Sequence, residues 1–120
     1  MASAEAGNQD WRAGRAPETA EFSRHSPSPD LGVLTVRGEL DISTSGRLHQ
    51  ELKALLDAGT ERVAIDLSGV VFMDSSALSA LVGAHDRAGR QSQQLTLARP
   101  SPACAKVLGI TGLDQIFDLT

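Results

Sequence analysis

Residues 70–81 read VVFMDSSALSAL. Four apolar residues, Val70 to Met73, run into an acid and two hydroxyls, Asp74, Ser75 and Ser76. Leu78, Leu81, Val82 and His85 then recur at the spacing of one helical face. This is the order of a buried strand, a tight turn, and an amphipathic helix that starts at the hydroxyls. A serine in such a turn is exposed while its flanks are held in the core. The free N–H groups and positive dipole end of the helix beside it tolerate a phosphate.

The same grammar extends in both directions. Downstream, Gly89 reads as the end of the helix over about 75–88, and Gln94 to Ala98 as a short strand through Leu95 and Leu97. Ser101-Pro102 is an N-cap followed by proline at the first helical position, opening a helix to about Leu108 with Gly109 as its stop. The closing ITGLDQIFDL suits a small helix or turn and an edge strand. Upstream, Val63, Ile65 and Leu67 alternate along a strand over Arg62–Leu67, with Ser68-Gly69 read as a turn. Leu48, Leu52, Leu55 and Leu56 form the stripe of an amphipathic helix. Ser43 or Thr44 is placed to cap it and Gly59 to end it. Leu34 and Val36 alternate in the strand that begins near Leu31. The order β–α–β–α–β–α–β predicts an α/β fold with an at least partly parallel sheet.

Residues 1–29 read as a disordered tail, and residues 30–120 as the one folded domain. The tail holds three of the five prolines and, of large apolar residues, only Met1, Trp11 and Phe22. So little apolar surface does not offset the entropy of ordering the chain. Trp11 is read as solvated, with transient anchoring of the tail as the alternative.

Composition narrows the function. The 120 residues carry a formal net charge of −4, and the 11 basic residues are scattered. Neither nucleic acid nor an anionic membrane finds a cationic footprint here. The single cysteine, Cys104, excludes an internal disulfide and any CxxC site, and reads as packed rather than reactive. Val70 to Met73 is the longest run of large apolar residues, so no membrane insertion is expected. The N-terminal MASAEAGNQDWRAGRAPE lacks the apolar stretch of a secretory signal, and a cytoplasmic location is expected.

Enzymatic readings find little support. A serine nucleophile needs a base beside it. His85 follows Ser75 by ten residues of one helix, about 15 Å of rise. It also continues the apolar stripe, as a packing histidine does. GxSxG, GxxxxGK[ST] and GxGxxG do not occur, and no His, Cys or Asp cluster has metal-ligand spacing. The expected protein is a small regulatory or adaptor domain, not an enzyme, with no cofactor and no metal.

FMDSSAL behind an apolar strand, with GELDISTS about thirty residues upstream and a late SPACAKVLGITGLDQIF, resembles the STAS domain family, and within it the anti-sigma factor antagonists. The resemblance spans about Leu31 to Leu119. It implies a single STAS-like domain with a small mixed sheet of four to five strands and about four helices. By position it implies Ser75 as the phosphoacceptor, flanked on the partner-facing surface by Asp41, Asp74 and Ser76. The implied partner of the unphosphorylated protein is an anti-sigma factor that is also a serine kinase and itself binds ATP. Its capture frees a sigma factor, phosphorylation of Ser75 dissociates the pair, and a phosphatase acting on phosphorylated Ser75 resets it.

Two departures and several alternatives accompany the resemblance. The family usually has glycine after the two hydroxyls, where this chain has Ala77, and Ser79 stands at a second such position. Ala77 either narrows the approach of a kinase or strengthens the helix start. A STAS scaffold or transporter-associated subunit, never phosphorylated, is the competing function. Ser75 and Ser76 also suit helix caps, and Asp41 an Asx turn. Exposed strand edges in a small sheet favour weak homodimerisation.

Overall fold

The computed structural model describes residues 19–120. Its elements run β1 Ala20–Ser28, β2 Leu31–Leu40, α1 Ser45–Asp57, β3 Arg62–Met73, α2 Ser75–Arg90, β4 Gln94–Ala98, α3 Pro102–Thr111, a 3-10 turn over Leu113–Gln115, and β5 Asp118–Leu119. Five strands lie in the order β1-β2-β3-β4-β5. β1 is antiparallel to β2, and the other pairs are parallel. The expected mixed sheet is therefore present, with three α-helices and one 3-10 turn among the described residues.

Alternation decides which side of the sheet is dry. Leu34, Val36, Val63, Ile65, Leu67 and Leu97 are at most 1% exposed, and they meet the helical stripe of Leu48, Leu52, Leu55, Leu56, Leu78 and Leu81. On the opposite face Asp66 is nearly buried, gripped by the Ser68 N–H at 3.0 Å and by the Arg99 guanidinium. Burial is the strongest single influence on that carboxyl and pushes its pKa up. The bonds from Ser68 and Arg99 together outweigh it and leave the group below the ordinary range. His85 packs its ring edge-on to Phe117, centroids 5.2 Å apart, as the continued stripe predicts. Cys104 is fully buried, and burial pushes its thiol pKa up.

Four boundaries differ from the sequence reading. The tail does not extend to residue 29: Ala20–Ser28 is a strand, while residues 1–18, with Trp11, lie outside the described residues. The nine residues of β1 have almost no apolar pattern of their own. The open edge of β2 supplies their backbone partners, and α1 supplies the rest. Arg24 binds Glu51 at 2.8 Å, and the Arg47 guanidinium lies 5.2 Å from the centre of the Phe22 ring. Nor does Ser68-Gly69 turn the chain. β3 runs on through it with a register shift, and a side chain at Gly69 would stand 2.8 Å from Arg37 Cγ. That glycine permits close strand approach, a role that sequence alone does not separate from a turn. Gly89 lies inside α2, which continues to Arg90. α3 passes Gly109 and stops at Gly112, whose φ of 76° is the left-handed stop. Gly59, with φ 75°, ends α1 as expected.

Candidate functional site

β2 and β3 end side by side. Leu40 stands opposite Met73, and the Asp74 N–H donates to the Leu40 carbonyl at 3.0 Å. The chain therefore leaves the two strands through neighbouring turns, each led by an aspartate. This brings Asp41, Asp74, Ser75 and Ser76 to one end of the sheet.

In the second turn Asp74 is the N-cap of α2. Its backbone is extended, and its Oδ1 accepts from the N–H groups of Ser76 at 2.9 Å and Ala77 at 3.4 Å. The Ser76 hydroxyl donates to the same oxygen at 2.5 Å. Ser75 is different: it is exposed, and among the described residues its hydroxyl has no hydrogen-bond partner. The two serines are thus not the caps that their position allows. One is bound to the cap, and the other is presented to solvent at the first turn of the helix.

In the first turn Asp41 forms the Asx turn. Its Oδ1 accepts from the Ser43 N–H at 2.9 Å, the Ser43 hydroxyl at 2.6 Å and the Thr44 N–H at 3.2 Å. The Ser43 hydroxyl is the main reason its carboxyl lies below the usual range; burial opposes, and the N–H groups of Ser43 and Thr44 add to the lowering. Thr44 is the N-cap residue of α1 but makes no side-chain cap bond to it. Its hydroxyl instead donates to the Glu39 carbonyl at 2.9 Å and accepts the Asp41 N–H at 3.0 Å, stapling the turn from below.

Ala77 is fully buried. Its methyl faces the core, so it cannot narrow the approach of a partner.

The sequence reading missed the apolar part of this surface. Ile42 is 82% exposed, Val71 67% and Phe72 48%, although Val70 to Met73 reads as one buried run. Val70 and Met73 are buried as expected. A second register shift, between Gly38 and Glu39 opposite Val70 and Phe72, breaks the alternation and turns Val71 and Phe72 outward. No count of apolar residues shows such a shift. The only hint is that four apolar residues in a row exceed what one face of a strand uses. An open groove of about 320 Å³ between α1 and α2, lined by Leu52, Leu56, Ala80 and Gly83 among others, includes none of these residues. Ile42, Val71 and Phe72 are thus exposed apolar side chains within a few residues of Asp41, Asp74 and Ser75 in the chain.

Among the described residues no group of His, Cys, Asp and Glu is arranged to hold a metal ion, and no helix is long and apolar enough to cross a membrane.

Comparison with known proteins agrees with this architecture. The family model described as "Mlab, STAS domain" matches residues 24–119. A STAS-domain containing protein of Pseudomonas aeruginosa (strain UCBPP-PA14) is 33% identical over 78% of this chain and 94% of its own length. The anti-sigma-B factor antagonist of Bacillus subtilis (strain 168) is 30% identical over 72% of this chain and 79% of its own. The crystal structure of an anti-sigma factor antagonist from Mycobacterium paratuberculosis superposes with a TM-score of 0.77 at 28% identity, covering 87% of each chain. The sheet order, the paired aspartate turns and these likenesses have one reading: this chain belongs to the STAS domain family, and within it to the anti-sigma factor antagonist type.

Proposed function

We propose that this protein is a phosphorylation-switched binding module without catalysis of its own. Unmodified, it captures an anti-sigma factor that is also a serine kinase, and so releases a sigma factor. Phosphorylated on Ser75 by that kinase, it lets go until a phosphatase restores it. Asp41, Asp74, Ser75 and Ser76 belong to the contact surface. The observation that carries this reading is the state of the hydroxyls: Ser76 is bound to Asp74, while Ser75 is exposed and unpartnered among the described residues.

The switch follows from charge. A phosphate adds about −1.5 to −2 charges near neutral pH. At the first turn of α2 it meets the positive end of the helix, so the fold tolerates it. In a docked interface beside Asp74, Asp41 and Glu39 the same charge is desolvated and repelled. A penalty of about 3 kcal/mol there is about a hundredfold in affinity. Binding is lost without unfolding.

Phosphopeptide mass spectrometry of the protein isolated from its own cells, stressed and unstressed, tests this. A phosphate on Ser75 whose occupancy changes is the expected result. Full coverage of the Ser75 peptide with no phosphate in any condition overturns the switch and leaves a constitutive STAS scaffold, or a transporter-associated subunit, on the same surface.

A further inference from the structure

The two edges of the sheet are protected unequally. β5 is two residues long and gives another strand almost nothing to pair with. β1 runs nine residues, and among the described residues no strand lies beyond it. Its pairing with β2 fixes which backbone groups face outward. The Glu39 N–H donates to the Thr19 carbonyl at 2.7 Å, and the ladder continues with Glu21 opposite Arg37, Ser23 opposite Thr35 and His25 opposite Val33. These positions direct their N–H and C=O groups at β2. Antiparallel pairs alternate, so Ala20, Phe22 and Arg24 turn theirs outward. Proline and irregular register, which commonly block an exposed edge, come only at Pro27 and between His25 and Ser28.

Residues 20–26 read AEFSRHS, and their charges are self-complementary about Ser23. Pairing two such strands antiparallel, with a two-fold axis at Ser23, sets Glu21 opposite His25 of the second copy and Phe22 opposite its Arg24. The axis repeats both pairs. Phe22 and Arg24 then form the hydrogen-bonded pairs that their outward groups require, and Ser23 meets Ser23 in the closer, non-bonded pair. Sliding by two residues, the smallest step that keeps this alternation, is worse in either direction. One slide sets Arg24 against Arg24, and the other moves Glu21 from His25 to Ser23. In the favoured register the two Arg24 stand only diagonally, and each binds its own Glu51 at 2.8 Å. Glu21 lies between Arg37 of its own chain, 4.0 Å away, and the imidazole of the second copy.

We propose that the outer edge of β1 is a self-association surface, on which two copies pair antiparallel about Ser23 and join their sheets. The two-fold axis stands perpendicular to the joined sheet. Both helical layers therefore lie on one side, and the sheet ends that carry Asp41 and Ser75 point in opposite directions, each left open. The contact is a single strand pair, at the small end of interface sizes, so the dimer is weak and reversible. Cross-strand pairing of opposite charges selects its register.

Sedimentation equilibrium of the full chain tests the association. The native protein is expected to pass from monomer to dimer as concentration rises. His25→Glu sets carboxylate against carboxylate twice over and weakens the dimer about tenfold or more. Glu21→Lys sets an ammonium against the imidazole and weakens it less. An equimolar mixture of these two variants regains the dimer, because one pair then joins opposite charges and the other is native. Ser23→Cys reads the axis directly: a non-bonded pair holds its Cα atoms about 4.5 Å apart, within disulfide reach. Under mild oxidation this variant forms a covalent dimer. Ser26→Cys does not, since its two copies stand about 20 Å apart along the strands. Cys104 is fully buried and takes no part. All four substituted residues are exposed, and circular dichroism shows each variant folded. Should His25→Glu unfold, the Ser23→Cys cross-link decides the matter. A monomer at every concentration up to about 1 mM overturns the proposal. So does a dimer that is indifferent to His25→Glu, or one that cross-links Ser26→Cys as readily as Ser23→Cys. Each of these outcomes leaves the antagonist reading standing.

Discussion

The two strand-to-helix turns at the end of β2 and of β3 are built alike and finished differently. Each is led by an aspartate whose Oδ1 gathers the N–H groups that follow. In the first turn every hydroxyl is engaged: Ser43 with Asp41, Thr44 with the Glu39 carbonyl, and Ser45 with the Ile42 carbonyl at 3.2 Å. In the second, Asp74 is itself the cap and binds the Ser76 hydroxyl, and Ser75 is left over. The difference teaches that chemical availability at a helix start is set by which acid does the capping. At α2 the acid is itself the N-cap and the serine one position later, Ser75, is released to solvent; at α1 the acid stands three residues before the N-cap Thr44, and the serine after that cap, Ser45, stays bonded to the Ile42 carbonyl.

Substitutions sharpen this contrast, beginning with the largest effect. Ser75→Asp places a permanent charge on the free hydroxyl's site. Calorimetric titration with the cognate anti-sigma factor is expected to show an affinity loss of about a hundredfold or more. The melting temperature should stay put or rise slightly, since an acid suits the first helical turn. Unchanged affinity would sink the switch. Ser45→Asp, the same charge in the first turn, is expected to cost far less.

Thr44→Val comes next. Thr44 is 8% exposed, and the change strips partners from both the Asp41 N–H and the Glu39 carbonyl. A loss of about 1–3 kcal/mol is expected from urea unfolding. A neutral result would mean that the first turn is held by Asp41 alone. Asp74→Ala removes the cap of α2 and costs about 1 kcal/mol. It also frees Ser76, so a kinase that modifies only Ser75 in the native protein should begin to accept Ser76 as well, as site-resolved phosphopeptide mapping would reveal.

The smallest effect is one of pH. The carboxyl of Asp41 lies below its ordinary 3.8 in the folded protein, chiefly through the Ser43 hydroxyl. A lowered folded value means that its stabilisation is complete above 3.8 and is lost as pH falls through the folded pKa. Asp41→Asn keeps an acceptor but cannot titrate. Stability curves of variant and native protein should therefore converge only at acid pH below 3.8 and run parallel above it. A gap that persists unchanged to the acid limit would show that the carboxylate's charge plays no part in the turn.

Much of this architecture was legible in the chain. The stripe Leu48, Leu52, Leu55 and Leu56, the alternation of Val63, Ile65 and Leu67, and the Ser101-Pro102 cap are all where periodicity and cap chemistry place them. The site was legible by position, since a strand that runs into Asp74-Ser75-Ser76 can only present those residues at the strand's end. Its division of labour was not. Choosing among three adjacent polar side chains as the cap takes the extended backbone of Asp74, which follows from the bond between its N–H and the Leu40 carbonyl of another strand.

What the sequence determined by itself is local: helix faces, strand alternation, the glycine at 59 and the aspartates that begin each turn. These depend on interactions between residues a few positions apart, which the order of side chains specifies directly. Tertiary structure alone decided the rest. Ala20–Ser28 became a strand because β2 offered an unpaired edge. Gly69 fits close strands rather than a turn because Arg37 lies against it. Val71 and Phe72 face solvent because a register shift against β2 interrupts the alternation. Each outcome is fixed by a backbone partner distant in the chain, and periodicity within one segment carries no record of that partner's register.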